Sequence, residues 1–185
     1  MVRPSRRQRR TESTRAPRVR ASRPDAGMRF LLDTGYHRPS WHGPNLRGAV
    51  RGVSLQDAAW RPGPGRHNIW ELVVHAAYWK YVAWRRLTGA ARGSFPLAGS
   101  NFWTRPPVAA TRRAWLADLA LLDDMHRRLQ AVVDDIDPRR LDLPAPRGRS
   151  TRRALIAGVA AHDVYHAGQI RLLRRLAADA RASGG

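Results

Sequence analysis

The sequence predicts an all-α fold, a four-helix bundle. Four long segments repeat apolar side chains at spacings of three and four, and no run alternates with the period of a strand. Capping residues stand where those segments start, and Gly or Pro stands where they end. With 185 residues and 43% hydrophobic content, the chain is sized for one domain.

Residues 1–27 are rich in Arg, Ser, Thr and Pro and hold almost no large apolar side chain. Such a segment buries too little surface to offset its ordering entropy, so a disordered basic tail is expected there. It reads either as a nucleic-acid arm or, the preferred reading, as an extension upstream of a true start at Met28. The domain is expected over residues 28–179, with a flexible C-terminus at residues 180–185.

The first helix is expected from about Phe30 to about Val53, through Leu46, Val50 and Val53. Gly35, Pro39 and Gly43-Pro44 interrupt its early part. Ser54 and Asp57 resemble a short capping turn, and residues 61–65 read as a loop. Asn68 caps the second helix, with Glu71 as its capping-box partner, and Gly89 ends it after Thr88. Residues 90–110 form a long connection. Thr111 caps the third helix, whose stripe runs Trp115, Leu119, Leu122, His126, Leu129, Val133 and Ile136. Asp137-Pro138 stops it. Ser150/Thr151 opens the last helix, expected to reach about Ala178.

The absence of Cys excludes disulfides, thiolate metal ligands and a cysteine nucleophile, and it fits the cytoplasm. No apolar run approaches the roughly 18 residues that span a bilayer, so no membrane partner is expected. The formal charge is +20, with 34 basic residues against 14 acidic ones. Lys80 is the only lysine, and Arg fills every other basic position. That skew, with the abundance of Ala, reads as codon bias in a GC-rich genome. Nucleic acid is therefore not expected as the main partner, although a basic surface favours polyanions.

The chemical signal lies in the histidines. His162 and His166 are four apart, so they share one helix face. Leu155, Val159, His162, His166, Gln169 and Leu173 make one stripe at spacings of four and three, which points both imidazoles into the bundle. His75 lies on the stripe Leu72, His75, Trp79 and Val82 of the second helix. Three neutral imidazoles converging inside a bundle make a metal site with open coordination positions, the mark of a catalytic ion. A lone buried His is ordinarily a hydrogen-bonded core residue. Two on one buried stripe need partners or cost stability.

The strings Trp70-Glu71-Leu72-Val73-Val74-His75 and His162-Asp163-Val164-Tyr165-His166-Ala167-Gly168-Gln169-Ile170 resemble the DinB-like (YfiT-type) metal-dependent family. The likeness extends from about Met28 to Leu176. Trp41-His42-Gly43-Pro44, Ala59-Trp60-Arg61-Pro62 and Ala77-Tyr78-Trp79-Lys80 fit one branch of it. The resemblance implies an up-up-down-down bundle, with a divalent metal on His75, His162 and His166. Imidazoles suit Zn, Ni, Fe or Mn rather than Mg. The implied enzyme is bacterial and acts on a small molecule. It is either an S-transferase using a low-molecular-weight thiol such as bacillithiol or mycothiol, or a hydrolase. Any thiol comes from the substrate, since the chain has none. A homodimer is expected. The rival readings are a metal-binding bundle without turnover and a nucleic-acid-associated basic protein.

Two further residues are candidates for catalysis. His42, beside Trp41, is a candidate acid/base or substrate contact. Gln169, three residues beyond His166, is a candidate to orient it or meet substrate. His126 is weighed as a fourth ligand against a pocket or core His, the latter preferred. Asp163 is expected in a salt bridge, and Glu71 in its cap. Trp70, Trp79 and Tyr165 are expected in packing, while His37 and His67 read as plain loop residues.

Overall fold

The structure is a computed structural model and describes residues 25–106 and 108–183. The expected tail lies outside these residues except at its end, where Asp25 caps the first helix by accepting from Met28 N at 2.9 Å. Six α-helices and no strand occur among the described residues: α1 (Ala26–Tyr36), α2 (Leu46–Ala49), α3 (Leu55–Ala59), α4 (Ile69–Thr88), α5 (Arg112–Asp135) and α6 (Arg152–Ser183). No helix of the described residues is long and apolar enough to cross a membrane.

The caps explain the boundaries. Asn68 Oδ1 accepts from Glu71 N at the start of α4, and Gly89 closes that helix in the left-handed region at φ 81°. Thr111 caps α5 by accepting from Ala114 N, and Thr151 accepts from Ala154 N at the start of α6. The continuous first helix expected over residues 30–53 is not formed. It begins earlier, at Ala26, and stops at Tyr36; α2 and α3 are separate short turns capped by Asn45 and Ser54. Pro39 and Gly43-Pro44 end helical propagation. At the other end, α6 runs beyond Ala178 to Ser183.

α1, α4, α5 and α6 form the bundle, in the cyclic order α1, α6, α4, α5. Two clusters mark its ends. Leu32 of α1, Leu87 of α4, Val133 of α5 and Ile156 of α6 share one. Tyr36, Ile69, Trp115 and Ile170 share the other. In chain order the helix directions are therefore up, down, down, up, and around the bundle α1, α6, α4 and α5 run up, up, down, down, as the resemblance implied. The connection over residues 89–111 makes α4 and α5 a parallel pair. It must carry the chain back along α4 before α5 can start beside the start of α4, where Trp70 meets Trp115 at 5.4 Å. This strap packs Phe95, Leu97, Phe102 and Trp103 against the core. α1 and α6 run parallel and close. A Cβ on Gly35 would stand 2.7 Å from Ala160 O, so only glycine fits that crossing.

One ion pair lies inside the bundle. Lys80 Nζ donates to Asp163 Oδ2, both residues are fully buried, and the ammonium sits over the Tyr36 ring at 4.6 Å. Asp163 is thus a salt-bridge residue, as its place off the histidine face predicted. Burial raises its carboxyl and lowers the Lys80 ammonium, while their mutual attraction opposes both shifts.

Candidate metal centre

The buried stripes of α4 and α6 bring His75, His162 and His166 together. His162 Nε2 lies 3.2 Å from His75 Nε2 and 3.0 Å from His166 Nε2. Donor atoms of a tetrahedral ion with bonds of about 2.0–2.1 Å lie about 3.3 Å apart, so the spacing fits one ion. A single donor atom from each of the three lies within 4.8 Å of the other two.

The rings are oriented from behind. His75 Nδ1 donates to Asn101 O at 2.8 Å. His166 Nδ1 donates to Gln169 Oε1 at 2.6 Å, and Gln169 Nε2 donates to Tyr165 Oη at 3.0 Å. A proton on each Nδ1 leaves the lone pair on Nε2, facing the other rings. Asn101 comes from the strap and holds its place with φ 70° and a bond from Trp79 Nε1 to its side chain. His162 Nδ1 is buried and has no partner.

All three imidazoles are neutral at physiological pH. Burial, then repulsion from His166, His75 and Lys80, lowers His162 to about 3. Burial and His75 lower His166 to about 4, against the opposing bond to Gln169. Burial lowers His75 as well. Three neutral imidazoles, those of His75 and His166 buried and that of His162 half-buried, form a donor set suited to a borderline transition metal.

A cavity of about 650 Å³ opens on the triad. Leu72, Phe102, Leu172, Leu173 and Leu176 wall it, and Arg66, His67, Tyr165 and Gln169 supply its polar groups. Gln169 therefore both orients His166 and reaches the cavity. Tyr165, expected in packing, is exposed and bonded to Gln169. His42 lies in the exposed turn from Ser40 to Gly43 and does not line this cavity.

His67 and Glu71 form a dyad that the loop-and-cap reading missed. His67 Nδ1 donates to Glu71 Oε2 at 2.8 Å. Their spacing of four residues was the available signal. The Glu71 carboxylate does not complete the capping box; it takes Arg61 and accepts from Arg105 N at 3.2 Å. Burial raises its pKa, but the bonds from Arg61, His67 and Arg105 outweigh that and hold it below the usual carboxylate value. In the neutral His67 ring an ionised Glu71 selects the tautomer with the proton on Nδ1, which leaves the lone pair on Nε2. Phe102 is sandwiched between His67 (3.9 Å, 7°) and His75 (4.0 Å, 12°).

Among families of known proteins, the model of the DinB superfamily matches residues 40–170, a span containing all three histidines of the triad. No curated protein and no solved structure matched the chain.

Proposed function

This chain belongs to the DinB superfamily, and on that premise we propose that it is a divalent-metal-dependent enzyme acting on a small molecule. The observation that carries the proposal is the convergence of three Nε2 atoms beside a largely apolar cavity. His75, His162 and His166 would hold the ion. When bound, a Zn, Ni, Fe or Mn ion supplies Lewis acidity that lowers the pKa of a thiol or a water.

Thiol S-transfer is the reading we favour over hydrolysis. Leu72, Leu172, Leu173 and Leu176 exclude water and accept the apolar part of an electrophile. Arg66 at the cavity meets an anionic group on the thiol. His67 Nε2 takes the thiol proton, with Glu71 orienting the ring. A sulfur–carbon bond forms, the leaving group departs with its electron pair, and His67 returns the proton to it.

The test is a product screen by mass spectrometry. Metal-loaded protein is offered low-molecular-weight thiols with activated halides and epoxides, and in parallel a panel of esters and amides. Conjugates that require both metal and His162 are expected. No turnover of any panel at full metal occupancy would leave a binding bundle without catalysis.

A further inference from the structure

His126 sits on the core stripe of α5, yet it does not join the triad. It faces α1. Its ring stacks on Tyr36 at 3.7 Å and meets His37 edge-on at 5.6 Å. Its Nε2 lies 3.8 Å from Asp33 Oδ1. The residue is 2% exposed, and neither ring nitrogen has a hydrogen-bond partner. A neutral imidazole carries one donor and one acceptor, and burying both unpaired is unfavourable. Something with an affinity for nitrogen lone pairs would relieve that.

We propose that Asp33, His37 and His126 form a second divalent transition-metal site, joining the C-terminal end of α1 to α5. One donor atom from each lies within 4.8 Å of the others. Two imidazoles and one carboxylate are the donor set of open zinc and non-haem iron(II) centres. Contraction to about 3.3 Å, the spacing of donors around a tetrahedral ion, needs a closer approach of Asp33 Oδ1 to His126 Nε2, now 3.8 Å apart, and a turn of the His37 ring. The His37 backbone N–H is pinned to Asp33 O at 2.9 Å, while its imidazole is exposed. Burial, with Lys80, His37 and Arg29 nearby, lowers His126 to about 2, so its lone pair is available at any physiological pH.

The surroundings do not repel a cation as strongly as the basic composition suggests. Arg29 is paired with Asp33 Oδ2 and with Asp134, Lys80 with Asp163, and Arg47 with Asp123. Asp33 Oδ1 accepts from Gln130 Nε2 at 2.6 Å and keeps a lone pair for an ion. The family match begins at residue 40, so Asp33 and His37 lie outside it.

The experiment is zinc titration of the full-length protein against a chromophoric chelator, for wild type, His37→Ala and Asp33→Asn. His37 is exposed, so its removal leaves the fold intact, and Asp33→Asn keeps the bond from Gln130. Both variants are expected to bind one equivalent less than wild type and to keep the equivalent that depends on His162. If either variant binds as much zinc as wild type, the second site does not exist. Because the readout is the part of uptake that depends on Asp33 and His37, it stands even if the triad binds nothing.

Discussion

His75 Nε2 stands 3.2 Å from His162 Nε2, although the residues are 87 apart in sequence and ride on antiparallel helices. Both rings are neutral, and the one proton of His75 sits on Nδ1, which donates to the Asn101 carbonyl. His166 likewise presents a lone pair at 3.0 Å. At most one proton, on His162, can bridge these contacts. A divalent cation takes all three lone pairs at once, so the geometry is complementary to an ion rather than to the empty state.

Gln169 sets which nitrogen of His166 is free. Gln169→Ala removes the acceptor behind the ring and is expected to weaken metal binding by about 10–100-fold. Gln169→Glu keeps the acceptor and should retain most of the affinity. Competition with a chelator measures both. Equal affinity in wild type and Gln169→Ala would show that the bond does not orient the ligand.

Acid should destabilise the metal-free protein from near-neutral pH downward. His162 and His166 titrate at about 3 and about 4 in the folded chain, against an ordinary 6.5. Between those values the unfolded chain takes up protons that the folded one refuses, so stability falls as pH is lowered through that window. Urea midpoints at a series of pH values will show the slope. Replacing both histidines with Asn should make it shallower, leaving the share of His75 and His126; an unchanged slope would assign the acid sensitivity to other groups.

Lys80 and Asp163 are each 0% exposed in their side chains, which makes the pair intolerant of half-removal. Lys80→Met strands an acid in the core and is expected to cost about 3–5 kcal/mol. Lys80→Met with Asp163→Leu should recover most of that. Denaturant unfolding measures each step, and a double variant no more stable than the single one would contradict the account.

The long helices were legible because period and punctuation agree along them. Asn68, Gly89 and Thr111 act where the sequence places them. The triad was legible in part: helical spacing puts His162 and His166 on one buried stripe, whereas the meeting of that stripe with His75 rested on an inferred packing and on the family resemblance. What local pattern cannot carry is tertiary. The direction of α5 depends on the course of residues 89–111 along α4, which periodicity does not encode. His126 lies on a core stripe, but no spacing tells whether that stripe meets α1 or the triad. Glu71 looks like a capping residue by position, and only the folded chain shows Arg61, His67 and Arg105 competing for its carboxylate.

The central claim is that three histidines from two helices act as one ligand set. Its most direct measurement is metal content by mass spectrometry for wild type, His75→Ala, His162→Ala and His166→Ala, each purified without a tag and supplied with metal. Each variant is predicted to lose the same single equivalent, whatever the protein holds elsewhere. Variants that retain the wild-type content would show the triad to be a cluster of core residues and would remove the basis for a metal-dependent enzyme.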